Sequence, residues 1–351
     1  CSFATTASAD AGLQDRYLRM LSWEIKRQAC EFAPAKLTSI YFGGGTPSIL
    51  KASRLADLAE LINKVFSIAQ DAEWTLEAHP ATLSDAAGSE RAHAWRSMGF
   101  NRISMGAESL VDTTLLKIQR GYDSDGFRKA YALARSAGLH NINIDLIAGW
   151  PWESKTDFTR SLRSVLTMAP EHISVYPLSL EQGTPMTQQG SRTDPDTQAD
   201  LMISAGKRLT GAGYRHYEIA NFCKPKKRCK HNLLYWQSQD YLAAGLAAAG
   251  KFGNHYWNNF PGMRAYLDSC AKETLPVAEE SLCDAPELER RRLIMGLRLD
   301  MGVSRARLAR LLPAGDYQRF RRQRLLTGNA RNARMTAKGW LLSNQVMSVL
   351  C

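Results

Sequence analysis

The sequence predicts an α/β fold in which strands and helices alternate up to about residue 185. Apolar segments with strand character occupy residues 37–42, 74–78, 102–105, 142–147 and 172–178. Helical patterns lie between them, over residues 52–66, 85–98 with Ser84 as N-cap, 112–118, 126–137 and 155–168. The last four linkages each carry a breaker at or near the helix boundary: Gly99, Gly121, Gly138 and Pro170. Repeated strand–helix units imply right-handed crossovers, and hence a parallel barrel or a doubly wound sheet.

The first strand candidate ends in the run Gly43-Gly44-Gly45-Thr46-Pro47. Glycine has no Cβ and adopts positive φ, so a polar ligand can approach its backbone closely, and Pro47 prevents the strand from continuing. A tight turn without any ligand is the alternative interpretation. The run therefore predicts a ligand-binding loop only if other polar residues converge on it.

Carboxylates stand at or near the ends of the next three strand candidates: Glu77, Glu108 and Asp145. Ligands of parallel sheets bind at the carboxyl ends of the strands, where the three side chains would meet. One acidic residue at a strand end is commonly a helix cap or part of a solvated loop. Three of them beside a glycine loop favour convergence on one polar ligand.

Length and composition limit the class of protein. A chain of 351 residues has room for two or three domains, and 44% hydrophobic residues suffice for a sizeable core. Apolar runs stay far below the roughly 18 residues of a membrane span. The seven cysteines lack the spacing of a disulfide scaffold, which favours a reducing, cytoplasmic setting. The chain begins at Cys1 rather than Met, which favours a missing N-terminal piece.

Five ordered motifs together carry a family resemblance, and they lie at residues 42–48, 77–80, 101–106, 145–151 and 217–222 with 231–236. Their sequences are FGGGTPS, EAHP, NRISMG, DLIAGWP and YEIANF followed by HNLLYW. Over nearly its whole length the chain resembles radical S-adenosylmethionine (SAM) proteins related to oxygen-independent coproporphyrinogen III oxidase, and most closely their heme-chaperone branch. The resemblance implies a partial (βα)6 TIM-like radical SAM barrel, a small α/β extension and a C-terminal winged-helix-like helical domain.

The resemblance also implies cofactor-binding roles, which fall on Gly44, Gly45, Thr46, Glu77, Glu108, Arg120 and Asp145. The glycine loop would hold the methionyl end of S-adenosylmethionine, Arg120 would meet its ribose or carboxylate, and Asp145 would reach toward the nucleoside. Glu108 stands where the family has glutamine, so an acceptor-only carboxylate replaces a neutral donor and acceptor. Caps and interstrand contacts are the alternative for this set.

Proteins of this family hold a [4Fe–4S] cluster with three cysteines spaced C-x3-C-x2-C, and reductive cleavage of S-adenosylmethionine there gives a 5′-deoxyadenosyl radical. In this chain only Cys1 matches, as the last of the three metal ligands. Either the other two lie upstream of residue 1 or the protein has lost its cluster, and the missing initiator Met favours the first. Phe3 stands where the coproporphyrinogen oxidases have a further cysteine, which points to the chaperone branch.

Heme iron takes His, Cys, Met or Tyr as axial ligand. His231 is the family-like candidate, and His216 and Cys229 are weaker ones. A single histidine can equally be a structural hydrogen-bonding residue, and the pair Tyr235-Trp236 can stack on a porphyrin or simply pack. Two departures from the family pattern stand near these motifs: Ala249, where the chaperone branch has histidine, and His79, where the family often has asparagine.

The last part of the chain predicts short helices at residues 287–298 and 304–312 and a small wing near 331–340. The net charge of +11 is concentrated there. A solvated surface, a nucleic-acid footprint and a patch for an anionic partner such as a porphyrin propionate all fit this charge. Winged helices often bind nucleic acid, but fold analogy is a weak argument, so nucleic acid is not the expected partner.

These observations predict three domains, with a radical SAM core at 1–185, a family-specific α/β extension at 186–283 and a winged-helix-like domain at 284–351. The predicted function is a cytoplasmic heme chaperone that binds heme and passes it to acceptor proteins. Its cofactors would be a [4Fe–4S] cluster, S-adenosylmethionine and heme, with an electron donor that reduces the cluster. The alternatives are a porphyrinogen oxidative decarboxylase and a scaffold or nucleic-acid binder without a cluster.

Overall fold

A computed structural model describes residues 10–33 and 36–350. Its largest feature is a sheet with the strand order β1-β2-β3-β4-β5-β7-β6. Strands β1 to β5 are parallel, and β7 and β6 close one side in antiparallel pairing. The strands are β1 (Lys36–Phe42), β2 (Ser67–Glu77), β3 (Arg102–Glu108), β4 (Ile142–Ala148), β5 (His172–Pro177), β6 (Arg215–His216) and β7 (Asn221–Cys223). The predicted α/β class and its parallel strands are confirmed.

Helices connect and cover the parallel strands, as α1 (Ala11–Glu31), α2 (Ala52–Val65), α3 (Gly88–Ser97), α4 (Asp112–Lys117), α5 (Ser124–Ser136), α6 (Lys155–Met168), α7 (Pro185–Gln188) and α8 (Pro195–Gly211). The central strands are buried on both faces, with Ile103, Met105, Ile144 and Leu146 fully enclosed. Strands made of buried apolar residues are expected where helices cover both faces of a parallel sheet. The carboxyl-terminal edge of this sheet is called the rim below.

One predicted helix start is wrong. Ser84 is not an N-cap, because the helix begins at Gly88 and Ser84 ends a 3₁₀ turn over Pro80–Leu83. Pro80 fits the first position of that turn, and the Nδ1 atom of His79 accepts a hydrogen bond from the Ala81 amide. His79 therefore caps the 3₁₀ turn, whereas Ser84 does not provide the helix cap that the sequence pattern predicted.

A second sheet is antiparallel and follows the order β10-β9-β8. It comprises β8 (Ala249–Phe252), β9 (His255–Asn259) and β10 (Val277–Leu282), with α9 (Lys230–Trp236) and α10 (Met263–Ala271) nearby. The buried Glu24 of α1 ties this part to the first helix, because it accepts hydrogen bonds from the Gly245 amide at 2.8 Å, Asn259 at 2.7 Å and Tyr266 at 2.6 Å. One buried carboxylate of α1 thus holds three separate groups of this part.

The C-terminal part has a separate apolar core that includes Leu297, Phe320, Leu326 and Trp340. It contains the helices α11 (Ala285–Leu297), α12 (Arg305–Leu308), α13 (Ala314–Arg322), α14 (Ala337–Leu341) and α15 (Ser343–Met347). A small antiparallel sheet, β11 (Val303–Ser304), β13 (Asn332–Met335) and β12 (Leu326–Gly328), forms the wing. The helix expected over 304–312 is shorter than predicted, ending at Leu308.

The main apolar core runs past the expected boundary at residue 185, since it includes Leu201, Ala205 and Phe222. Strands β6 and β7 likewise belong to the large sheet. The three-domain division stays a prediction. Among residues 10–33 and 36–350, no helix has both the length and the apolar character needed to cross a membrane.

Candidate functional site

The glycine loop lies directly after β1 and is held by Glu77 from the end of β2. The Gly44 amide donates to Glu77 Oε2 at 3.0 Å, and the Tyr41 hydroxyl donates to Glu77 Oε1 at 2.7 Å. A Cβ on Gly43 would lie 2.4 Å from the Tyr41 ring and 2.8 Å from the Glu77 carboxyl, so only glycine fits there. Gly44 has φ of +100°, which also favours glycine. The loop thus presents exposed backbone at the rim, as a cradle for a polar ligand requires.

Glu108 lies at the end of β3, where the register with β4 shifts between Gly106 and Glu108. Its φ of 61° is unusual for a residue with a side chain. Glu108 Oε1 lies 3.5 Å from Arg120 Nη2, and that guanidinium also donates to the Gly106 carbonyl at 3.2 Å. Tyr122 donates to the same carbonyl at 2.6 Å. Arg120 and Tyr122 therefore fix the bulge that turns the Glu108 carboxylate toward the rim.

Asp145 lies in β4 directly opposite Gly106 of β3. It accepts a hydrogen bond from Asn143 Nδ2 at 2.9 Å and a longer one from Ser104 Oγ at 3.3 Å. Ser174 is its register partner on β5. The predicted convergence of Glu77, Glu108 and Asp145 is what the strand pairing produces, with one carboxylate from each of three neighbouring strands.

The three rim carboxylates, Glu77, Glu108 and Asp145, are partly buried, and burial raises the pKa of each. For Glu108 the pKa rises to about 7, because burial outweighs the opposing charge of Arg120 and the Asp145 charge adds to the rise. The buried Arg102 charge opposes the rise in the pKa of Glu77 and Asp145. A ligand that brings positive charge and N–H donors would complement this concentration of acceptors.

The residues present therefore fit S-adenosylmethionine in chemical terms. Its amino group could donate to Glu77, and the three carboxylates could offset the positive charge of its sulfonium. The exposed backbone of the loop could bind its methionyl end, and the Arg120 guanidinium could donate to its ribose or carboxylate. The side chains of Tyr41 and Tyr122 complete the site, and the sequence analysis missed both. Alternation along β1 could have revealed Tyr41, because it stands two residues after Ser39 on the same face.

His79 stands beside this site with a lowered pKa of about 4, because burial and the Arg120 charge disfavour its protonated form. Its ring meets Tyr122 edge-on, with centroids 5.4 Å apart. The neutral imidazole accepts the Ala81 amide at 3.3 Å. His79 thus adds no positive charge to the rim at neutral pH.

His231 opens the first turn of α9 and lies partly buried against Tyr41, with ring centroids 4.6 Å apart. Both of its nitrogens have partners: Nδ1 lies 3.1 Å from Ser39 Oγ, and Nε2 lies 2.8 Å from the Tyr235 hydroxyl. Burial lowers the pKa of His231 to about 4, so the imidazole is neutral, as a metal ligand must be. For His231 to bind heme iron, one of its ring nitrogens would have to lose its hydrogen bond with Tyr235 or Ser39.

The weaker heme-ligand candidates, His216 and Cys229, also have close protein contacts. His216 stacks on Phe222 with centroids 4.0 Å apart and meets Trp340 edge-on. Cys229 is fully buried, with its thiol 3.4 Å from Glu73 Oε1. Burial raises the pKa of Cys229 to about 12, which disfavours the thiolate. Of the three, His231 lies nearest to the glycine loop through its stacked partner Tyr41.

Ala249, the departure noted from the family pattern, begins strand β8 and is exposed. Tyr235 packs edge-on against Tyr241 at 4.6 Å, and Trp236 lies under Arg298 at 4.2 Å. The aromatic pair that follows His231 therefore has protein partners on both side chains. Stacking on a porphyrin would be additional to these contacts.

The proposed cluster ligand Cys1, and Phe3 with it, lie outside the described residues. Within residues 10–33 and 36–350, no group of three or more His, Cys, Asp or Glu side chains could hold a metal ion. The described cysteines are all free thiols: Cys30, Cys223, Cys229, Cys270 and Cys283. The cluster assignment thus depends on Cys1 and stays a prediction.

Comparisons with known proteins bear on the family of the chain and on its fold. Residues 1–165 match the Radical SAM superfamily. The whole chain is 31% identical to the heme chaperone HemW of Mycobacterium tuberculosis and covers 90% of that protein. It is 35% identical, over 72% of its length, to the heme chaperone HemW of Haemophilus influenzae, of which it covers 66%.

Among solved structures, the coproporphyrinogen III oxidase HemN of Escherichia coli has the same fold. The superposition has a TM-score of 0.86 and covers 100% of this chain and 86% of that one, at 21% sequence identity. The HemN likeness shows the fold alone, whereas the sequence match to HemW extends over the whole chain. The chain belongs to the HemW family of radical S-adenosylmethionine proteins.

Proposed function

We propose that this protein is a heme chaperone that binds heme and passes it to acceptor proteins. The observation that carries the proposal is the sequence match over the whole chain to a protein named heme chaperone HemW. A partner that accepts heme and a donor that reduces the cluster belong to the same proposal. A cytoplasmic location stays a prediction.

We further propose that the rim holds S-adenosylmethionine beside a [4Fe–4S] cluster. The backbone of Gly44, Gly45 and Thr46 would bind the methionyl carboxylate, and Glu77 would accept from the amino group. Arg120 would meet the ribose or the carboxylate and Asp145 the nucleoside, with Glu108 close to the sulfonium. Cys1 would supply one thiolate to the cluster. When bound together, the cluster and S-adenosylmethionine supply radical chemistry.

Titration of the purified protein with heme, followed by Soret absorbance, tests the chaperone proposal. A saturable spectrum is expected for the wild type. His231→Ala should weaken binding or shift the Soret maximum, because it removes the proposed axial imidazole. His140→Ala is the matched control, since His140 is an exposed residue in the connection between α5 and β4. Absence of a saturable heme spectrum in the wild type would contradict the proposal.

The second candidate function is oxidative decarboxylation of a porphyrinogen, with which the fold shared with coproporphyrinogen III oxidase is compatible. It predicts anaerobic conversion of coproporphyrinogen III that depends on S-adenosylmethionine. Protein loaded with cluster should show no turnover if the chaperone proposal is right. Iron and sulfide analysis of the same sample tests the third alternative, a scaffold without a cluster.

A further inference from the structure

A group of polar side chains meets where the C-terminal part contacts the barrel. Arg298 caps the end of α11, Trp236 ends α9, and Glu218 follows strand β6. The Arg298 guanidinium lies over the Trp236 ring, 4.2 Å from its centroid. Its Nη2 atom lies 3.9 Å from Glu218 Oε2, which is too long for a hydrogen bond. The guanidinium is therefore fixed by stacking and only loosely paired.

Three buried polar atoms in this group have no hydrogen-bond partner among the described residues: Arg298 Nε, Trp236 Nε1 and Glu218 Oε2. The Glu218 side chain is 1% exposed, and its other oxygen accepts from the Ala220 amide at 3.0 Å. An unpartnered buried polar atom is costly, so such atoms are usually satisfied by water or a ligand. Two donors and one acceptor on three neighbouring residues are thus left without a partner among the described residues.

The group is continuous with the inner face of the barrel. On β5, the side chains of His172 and Ser174 both contact Asn143 inside the barrel. Alternation along the strand puts Tyr176 on the same face, one step closer to the rim. Tyr176 is 41% exposed at the end of this column and is close enough to Arg298 for an electrostatic interaction between the two side chains. A ligand at Arg298 would thus lie beside the opening that also contains Asp145.

We propose that Arg298 and Trp236 bind a carboxylate, and specifically a propionate of the tetrapyrrole, an inference that rests on the proposed heme-binding function. A guanidinium presents adjacent N–H donors that match a carboxylate, and stacking on an indole pre-orients them. The indole N–H adds a third donor. Tyr176 and Trp236 offer apolar ring surface to the macrocycle next to this polar end.

The buried Glu218 carboxyl is compatible with a bound carboxylate. Burial raises the pKa of Glu218, although the Arg298 charge opposes the rise. The group therefore takes up a proton more readily than an exposed glutamate. Once Glu218 is protonated, its Oε2 can donate a hydrogen bond to the ligand carboxylate. The last unpartnered atom of the group would then have a hydrogen-bond partner.

The test compares heme with its dimethyl ester, whose propionates carry no charge, by Soret titration of the full chain. Wild type should bind heme about tenfold or more tightly than the ester, the range expected for charge-assisted hydrogen bonds. Arg298→Gln should bind heme about as weakly as wild type binds the ester, and it should bind the ester unchanged. Trp236→Phe, which keeps a ring but lacks the N–H, should lose a smaller part of the preference. Arg322→Gln on the exposed side of α13 removes the same charge and should change neither affinity.

The comparison of ligands on unaltered protein keeps the test decisive even if a variant folds poorly. Equal affinity of wild type for heme and its ester would overturn the propionate site. So would an Arg298→Gln variant that weakens both ligands by the same factor, since that pattern indicates a structural role. If wild type binds neither ligand, the proposed function itself fails, and that result is distinct from the other two.

Discussion

The rim and the interior of the same barrel use polar residues in opposite ways. In the interior, Asn143 donates to Ser104 and Asp145 and accepts from His172 and Ser174, while the second nitrogen of His172 meets the Tyr217 hydroxyl. At the rim, Glu77, Glu108 and Asp145 converge without matching positive charge for each, and burial raises the pKa of all three. The interior network is satisfied by the fold itself. The rim is left with acceptors that a ligand can use.

Hydrogen-bond pairing therefore distinguishes structural from functional polar groups within one sheet. A buried side chain whose donors and acceptors are all paired stabilises the native state and offers little to a ligand. A cluster of like charges in a partly buried position opposes folding and indicates a binding site. The following substitutions test the two halves of this contrast, beginning with the largest effect.

The largest expected effect is the loss of stability in His172→Ala. The residue is fully buried, and its removal leaves a cavity and takes away the partners of Asn143 and Tyr217. We expect the free energy of unfolding to fall by about 3 kcal/mol in urea denaturation at pH 7.5. His93→Ala, on the exposed side of α3, is the matched control and should change it by less than about 0.5 kcal/mol. A small change in the free energy of unfolding for His172→Ala would contradict the view that paired interior side chains stabilise the fold while the rim residues do not.

The same histidine gives the interior a defined pH dependence. Burial and the Arg102 charge lower the pKa of His172 well below its usual value, so it is neutral in the native state. Unfolded chains bind a proton at this residue below about pH 6.5, and the stability contributed by neutral His172 is therefore lost as pH falls below that value.

Glu108→Gln should change the free energy of unfolding in the opposite direction to His172→Ala and stabilise the protein at high pH. Because the pKa of Glu108 is raised to about 7, the charged form is disfavoured in the native state, and stability is lost as pH rises toward that value. We expect a gain of about 1–2 kcal/mol at pH 8 that disappears near pH 4.5, measured as paired unfolding curves at the two pH values. Glu279→Gln, exposed on β10, serves as control. Destabilisation at pH 8 would show that the Arg120 contact outweighs burial.

Tyr41→Phe should produce the smallest change of the three, a loss of about 1 kcal/mol. The substitution leaves Glu77 Oε1 without its donor at 2.7 Å, and this hydrogen bond lowers the pKa of Glu77. Its loss raises that pKa further, so the destabilisation should grow as pH rises from 4 to 8. A pH-independent loss would mean that Tyr41 acts through packing against His231 rather than through Glu77.

The sequence could predict the strand-end carboxylates because strand position and parallel pairing determine where Glu77, Glu108 and Asp145 lie. Alternation along β1 could have pointed to Tyr41, but the contacts by which Tyr41 and Tyr122 position the site join separate elements and are not visible in the sequence. The early start of β2 at Ser67 was hidden because residues 67–73 carry polar side chains that show no continuous apolar run. Pairing with β1, rather than the composition of the segment itself, makes residues 67–73 part of the strand.

The grouping of Arg298, Trp236 and Glu218 was equally invisible in the sequence. Glu218 and Trp236 belong to neighbouring segments, but Arg298 lies far from both in the chain, and only the packing of the C-terminal part on the barrel brings it to them. In the sequence, the arginine-rich segment forms one undivided patch. The structure separates one partly buried guanidinium from exposed ones such as Arg321 and Arg322.

Equilibrium titration of the purified chain with heme decides whether this protein binds heme as a chaperone must. We expect a Soret spectrum that saturates near one heme per chain and differs from that of free heme. Absorbance that rises linearly with added heme, with the spectrum of free heme throughout, would contradict the assignment of this protein as a heme chaperone.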